Sequence, residues 1–242
     1  MSKDFVHLHV HSDFSLLDGA ASVDKIVNTA SSLGQKAIAL TDHGNMFGAI
    51  TFYKACKAKG IKAIIGCEVY VAPFSRFEKK QYQNERQYYH LILLAKNWQG
   101  YKNLMLLTSK AYIEGLYYKP RIDEELLKEH SEGLICLSAC LAGKLPYLLL
   151  NDKIKEAEEQ ARQYLNIFGD GNYYIELQDH GLSEEKKVIP LLIKIARRLG
   201  IPLVATNDSH YALKEDATSQ DILLCIGMKK TQKDPNRMKF YG

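Results

Sequence analysis

Side chains able to do chemistry are concentrated at the start of the chain, where Phe5-Val6-His7-Leu8-His9-Val10-His11-Ser12 alternates imidazole with aliphatic residues. A period of two is that of a strand, so His7, His9 and His11 are expected on one face and Val6, Leu8 and Val10 on the other. Neutral imidazole is the commonest protein metal ligand, and histidines in register suggest a face that holds metal. Histidines two apart also occur on ordinary polar strand faces, so the pattern needs partners elsewhere. Asp18 lies in the loop that follows, and His43 ends Thr41-Asp42-His43 after the next strand-like run. Glu68 sits within Gly66-Cys67-Glu68-Val69-Tyr70, His90 opens a further run, and Cys140 follows Ser138-Ala139. Near the far end, Asn207-Asp208-Ser209-His210 repeats the same-face spacing of the first stretch.

Each residue has a plainer alternative. Asp18-Gly19 is a common turn signal, His43 before Gly44 can serve a turn, His90 can cap the entry to its strand, and a lone Cys140 packs as a small hydrophobe. Glu68 is harder to dismiss, because a carboxylate inside an apolar strand must be paired, protonated or metal-bound. Taken together, nine imidazole, carboxylate and thiol groups suffice for two or three divalent ions. Mixed nitrogen, oxygen and sulfur donors favour Zn, Mn or Fe over magnesium or calcium. Such ions lower the pKa of bound water and neutralise charge building on a phosphate, and Glu68, Asp208 and His210 would carry that catalysis by holding the water-activating centre.

The elements that must position these groups alternate along the chain. Strand-like runs are predicted over residues 5–10, 37–40, 61–71, 90–95, 134–137, 173–177 and 202–206. Between them the apolar spacing predicts helices over 22–33, with Ser22 as cap and Gly34 as stop, over 47–59, from about 98, over 154–168 and over 185–199. Alternation of this kind predicts an α/β protein, either a parallel barrel or a doubly wound sheet. In a barrel the C-terminal strand ends converge on one mouth, which is where most of the candidate ligands fall. Residues 74–89 and 115–121 read as loops within one domain.

Composition sets the class. A length of 242 residues suits a barrel of ~250 residues. With 46% hydrophobic and 25% charged residues the chain is globular in type. No apolar run approaches the ~20 residues of a membrane span, and no signal segment opens the chain. Five cysteines without a CxxC pair suit a reducing cytoplasm. A net charge of +4 permits a polyanionic partner without demanding one.

The motifs His9-Val10-His11-Ser12, Thr41-Asp42-His43-Gly44, Gly66-Cys67-Glu68 and Asn207-Asp208-Ser209-His210 resemble those of the PHP (polymerase and histidinol phosphatase) superfamily. Phe14-Ser15-Leu16-Leu17-Asp18-Gly19, Tyr117-Tyr118-Lys119-Pro120-Arg121 and Met238-Lys239-Phe240-Tyr241-Gly242 are similar, more closely, to the start of bacterial DNA polymerase III alpha subunits. The resemblance implies a distorted seven-stranded (β/α)7 barrel, TIM-barrel-like, with a trinuclear metal centre. By motif position one metal would take His9, His11, Glu68 and Asp208. A second would share Glu68 and add His90 and Cys140, and a third would take Asp18, His43 and His210. It further implies 3′→5′ exonucleolytic proofreading at a DNA 3′ end. The implied partners are the remainder of the polymerase alpha subunit and the replicase proofreading subunit. The chain stops at Gly242, short of any palm or fingers region, so residues 1–242 are read as one PHP domain, an N-terminal fragment of a replicative polymerase.

For substrate contacts, Lys119, Arg121 and His180 are candidates, with Tyr117 or Tyr118 stacking on a terminal base. Arg76, Lys79, Lys80 and Arg86 could track a DNA backbone. The plainer readings are a tyrosine-rich loop packed on the barrel, a solvated charged loop and a hydrogen-bonded turn histidine. Two rival functions remain open: a small-molecule phosphatase like histidinol-phosphate phosphatase, and a metal-stapled scaffold without catalysis. The zinc amidohydrolase barrels also begin with paired histidines, but their eight strands and bridging lysine fit this chain less well.

Overall fold

A computed structural model of the chain describes residues 5–83 and 85–238. The expected motif beginning at Met238 therefore lies, from residue 239 on, outside the described residues. In chain order the elements are α1 (Val23–Ser32), β1 (Ala37–Leu40), α2 (Ala49–Ala58), β2 (Lys62–Val71), β3 (Tyr89–Ala95) and α3 (Trp98–Ile113). There follow β4 (Arg121–Ile122), α4 (Glu124–His130), β5 (Leu134–Leu137), α5 (Lys144–Leu150) and α6 (Ile154–Phe168). The last are β6 (Tyr173–Leu177), α7 (Ser183–Leu199), β7 (Leu203–Ala205) and α8 (Ala217–Gly227). No helix among the described residues is long and apolar enough to cross a membrane.

Local chemistry explains the element ends. Ser22 caps α1 by accepting from the Lys25 amide, Asn97 caps α3 by accepting from Gly100, and Asp123 caps α4 by accepting from Leu126. Gly200 closes α7 in the left-handed conformation that glycine adopts without strain.

The strands form a distorted (β/α)7 barrel in the order β1-β2-β3-β5-β6-β7, with the short β4 beside β2. It departs from the parallel expectation at one strand. β3 runs antiparallel to both β2 and β5, whereas the other pairings are parallel. A reversed strand presents its first residues at the rim where its neighbours present their last, which is why His90 reaches the mouth.

Residues 5–10 also depart from expectation. They make no regular strand, only a parallel bridge between Val10 and Ser209. The segment nevertheless closes the sheet, since Ala39 and Thr41 donate to the His7 and Val10 carbonyls while His11 donates to that of Ser209. Three residues of this segment thus oppose two of the β1 edge, a bulge that breaks the alternation. Leu8 packs against the interior cluster and Val10 against the outer one around α1 and α2. His7 therefore does not share a face with His9 and His11.

Alternation in the regular strands divides floor from mouth. Outward residues Cys67, Val69, Val71, Leu91 and Leu93 build the main core under α3 to α7. Inward residues Ala39, Ile92, Leu94 and Leu137, with Leu8, Ile64, Ile135 and Tyr174 against them, plug the barrel. The polar column Glu68, His90 and Glu176 lies on these same inward faces, one or two positions nearer the mouth.

The two stretches read as loops are clasped together by buried arginines. Arg121 is fully buried, and its guanidinium donates to the carbonyls of Gly115, Gln87, Glu78 and Arg76. Arg76 is also buried and pairs with both carboxylate oxygens of Asp123 at 2.9 and 3.0 Å and with Glu114 at 2.6 Å. Replacing Arg121 by Ala strands several buried carbonyls, so Arg121→Ala should destabilise the fold by about 3 kcal/mol or more in urea unfolding. Lys119→Ala, at an exposed position, should change it by less than about 0.5 kcal/mol.

Candidate metal centre

The mouth collects every residue predicted as a ligand. Glu68 is 1% exposed and stands at the middle. Its Oε1 lies 2.9 Å from His90 Nδ1, 3.4 Å from His9 Nε2 and 4.0 Å from Cys140 Sγ. Its Oε2 lies 2.7 Å from His43 Nδ1 and 3.3 Å from His11 Nε2. Asp208 Oδ1 approaches His9 Nε2 at 3.0 Å and His11 Nε2 at 3.3 Å. On the far side Asp18 Oδ2 reaches His43 Nε2 at 2.8 Å and His210 Nε2 at 3.4 Å.

Three groups have donor atoms within 4.8 Å of one another: His9, His11 and Asp208; His43, Glu68 and His90; and His11, His43 and His210. His43 thus stands with Glu68 and His90 as well as with His210, a sharing that motif position did not imply.

The backbone is bent to achieve this. Asp208 sits at φ 46°, in the left-handed region, and so does Ala139 at φ 65°, just before Cys140. Gly19 is required where it stands, because a Cβ there would lie 2.0 Å from the Ser12 carbonyl oxygen. That approach folds the 12–21 loop over the mouth and sets Asp18 beside His43. Gln220 of α8 holds the loop by donating to the Asp18 carbonyl.

A second layer fixes the imidazoles. His9 Nδ1 donates to Glu176 Oε1 at 2.8 Å, and Thr206 and Gln178 donate to the same oxygen. Ser15 Oγ spends its hydrogen on Asp42 Oδ1 at 2.7 Å, so His11 Nδ1, 2.9 Å from that hydroxyl, must donate to it. His210 Nδ1 donates to the Asp208 carbonyl at 2.8 Å. In the neutral ring each arrangement leaves Nε2 as the free lone pair, directed at the mouth, as a metal-binding histidine requires. Glu176, Ser15, Asp42, Thr206 and Gln178 were not singled out in the sequence. Glu176 carried a usable signal, an acid inside the apolar run Tyr173-Tyr174-Ile175-Glu176-Leu177.

The donor set fits cations. His9 Nε2, His11 Nε2, His43 Nδ1, Glu68 Oε2 and Asp208 Oδ1 are all buried and none of them makes a well-aligned hydrogen bond. Yet they lie about 3 Å apart, so their lone pairs face one another across shared points. Buried polar atoms are rarely left so without a missing partner, and nitrogen and oxygen lone pairs that face one another call for a cation.

The electrostatics agree. For His43, burial opposes the charged form, but the Glu68 and Asp18 carboxylates outweigh it and raise the pKa to about 10. Glu68 is itself buried, yet His90, His43 and His9 hold its carboxyl well below the usual range. Burial and the Asp208 and Glu68 charges push the Cys140 thiol up.

The centre opens into a cavity of about 860 Å³ lined by Asp18, His43, His90, Cys140, Asp208 and His210, with His180, Arg86 and Lys214 around it. His180 is exposed, donates from Nδ1 to Glu185 at 2.6 Å and from Nε2 to the Asn207 carbonyl at 2.9 Å, and so brings charge with both N–H groups committed. Lys119 is exposed and rests over the Tyr70 ring at 5.3 Å, next to His43 and His90. Arg121 does not reach the mouth, because its guanidinium is used up inside the loops.

The family model described as PHP domain matches residues 7–180, and the chain belongs to that family. DNA polymerase III subunit alpha of Treponema pallidum is 69% identical over 236 residues, which cover 98% of this chain and 20% of the relative. The chain thus spans about a fifth of the length of that relative. Among solved structures, an amidohydrolase from Chromobacterium violaceum aligns at TM-score 0.55 and 16% identity, covering 87% of this chain and 89% of the other. A Bifidobacterium adolescentis protein, provisionally assigned as a metal-dependent phosphoesterase, aligns at TM-score 0.54 and 14% identity, covering 86% and 88%. At such identities the two structures speak for the fold.

Glu176→Gln, which removes the charge behind His9, should weaken metal binding about 10- to 100-fold in chelator competition. With a pKa near 10, His43 is protonated at pH 7 without metal and must lose that proton to bind one. Metal loading should therefore release protons, and affinity should rise with pH between 6 and 9, as calorimetry in buffers of different ionisation enthalpy would record.

Proposed function

We propose that the chain is the amino-terminal PHP portion of a DNA polymerase III subunit alpha and that its centre hydrolyses phosphodiesters from the 3′ end of a DNA strand, a 3′→5′ proofreading exonuclease. The observation that carries this reading is the full set of nine donors gathered at the foot of a cavity of about 860 Å³, a volume suited to a nucleotide. The similarity to the Treponema pallidum polymerase subunit, over nearly the whole chain, supports a polymer substrate and a cytoplasmic setting.

His9, His11, Glu68 and Asp208 would hold one ion, Glu68, His90 and Cys140 a second, and Asp18, His43 and His210 a third. When bound, Zn, Mn or Fe supplies Lewis acidity that acidifies water and neutralises charge on the phosphate. The protein's own part is positional. Glu68 presents one oxygen toward His9 and His90 and the other toward His11 and His43, so it would be shared between ions held on its two sides. Asp208 ties the His9 and His11 side to His210, whose ring nitrogen it holds through its carbonyl. Glu176 and Ser15 keep the imidazoles from rotating. The His180 imidazolium adds positive charge where a phosphate enters. Beyond the DNA 3′ end, the partners are the remainder of the polymerase chain and its proofreading subunit.

One observation favours a scaffold as a second reading. His9 and His11 are 0% exposed, so an ion held by them would staple strands together whether or not substrate arrives.

Metal-loaded protein should shorten a 5′-labelled primer with a 3′ mismatch stepwise from its 3′ end, and Asp208→Asn and His11→Ala should each reduce the rate at least about 100-fold. Folded, metal-loaded protein that leaves the primer intact with zinc, manganese and iron would leave the scaffold in its place.

A further inference from the structure

The basic loop before β3 was a single candidate for tracking DNA, and the structure sorts its residues. Arg76 is buried against Asp123 and Glu114, and Lys80 pairs with Glu78 at 2.7 Å. Lys79 is exposed and does not line the cavity. Arg86 differs from all of them. It lines the same cavity as His90, Cys140 and Asp208, and its side chain makes no hydrogen bond or ion pair with the described residues. Its guanidinium lies 5.1 Å from the centre of the Tyr147 ring.

Tyr147 belongs to α5, which starts directly after the Cys140 loop at Gly143, and Gly143 bridges to His90. The cation–π contact therefore places an uncommitted guanidinium on the His90 and Cys140 side of the mouth, away from Asp18 and His210. The carbonyl of the next residue, Gln87, is held by buried Arg121, so the loop that carries Arg86 is anchored. Besides the ligand histidines, the other basic side chains lining the cavity among the described residues are His7, His180 with both N–H groups used, and Lys214, which follows β7. Among the described residues Arg86 makes no hydrogen bond, ion pair or ring contact with a metal-ligand side chain, and one phosphate at the centre would fill little of the cavity.

Building on the exonuclease reading, we propose that Arg86 is a substrate-positioning residue that holds a second, non-reacting phosphate of the strand on the His90 and Cys140 side. A planar guanidinium with free donors matches phosphate oxygens in a fork. The centre would then select strands carrying at least two phosphates over small monoesters and diesters.

The test compares Arg86→Ala and Arg86→Lys with wild type, all metal-loaded. Binding of a fluorescent single strand with a non-hydrolysable phosphorothioate 3′ linkage is read by anisotropy across salt concentrations. Hydrolysis of the unmodified strand is read beside that of bis(p-nitrophenyl) phosphate, which has no second phosphate. Arg86→Ala should weaken strand binding about tenfold and lower the salt slope by about one, and Arg86→Lys should restore part of the affinity. Strand KM should rise while kcat/KM for the small diester, metal content and melting temperature stay as in wild type. Unchanged strand binding, or an equal loss on both substrates, would overturn the proposal. If wild type hydrolyses neither substrate, the exonuclease reading fails, while an Arg86-dependent binding step would still uphold the phosphate contact.

Discussion

The upper half of this barrel depends on one buried charge. Glu68 is an ionised carboxylate with almost no exposure, drawn from an inward position of β2 that is apolar two turns of the pleat below. A charge removed from water in this way costs several kcal/mol unless it is paired. Five imidazoles and two carboxylates surround it, and several of their atoms face one another without a well-aligned hydrogen bond. Protonated histidines can balance the charge in part, as the high pKa of His43 shows. Divalent cations would balance it and satisfy the orphaned atoms at the same time. The fold and the centre therefore impose the same requirement.

Several features of the backbone serve this requirement. Reversal of β3 brings His90 to the mouth, the bulge at the N-terminal segment turns His9 inward beside Leu8, and the left-handed turns at Ala139 and Asp208 aim Cys140 and Asp208. The apolar plug beneath gives the site a dry floor. Behind the ligands, Glu176 and the Asp42–Ser15 pair set tautomers that a strand face alone would leave undetermined. The arginine clasps do for the outer loops what the metals would do for the centre, since each spends a buried cation on otherwise stranded acceptors.

Much of this was legible in the sequence because the relevant signals are local. Histidines at alternate positions, an acid inside an apolar strand and the recurrence at Asp208 and His210 each point to a face with ligands, and the structure gathers those residues. The period-two and helical patterns placed most elements within a residue or two. What escaped depends on contacts distant in sequence. Nothing local shows that β3 runs backwards, so a position at a strand's start gives no reason for His90 to reach the mouth. The bulge that separates His7 from His9 adds a residue without disturbing the written alternation. Arg121 looks like a phosphate ligand until four carbonyls from three different stretches close around it. Glu176, an acid inside an apolar run, carries the same local signal as Glu68.

The most direct test of the central claim is the metal content of the purified chain, measured by elemental analysis after dialysis against metal-free buffer at neutral pH. Gathered donors with orphaned lone pairs should retain two to three equivalents of zinc, manganese or iron per chain. A folded chain that retains none, and takes up none when these ions are supplied, would contradict the account.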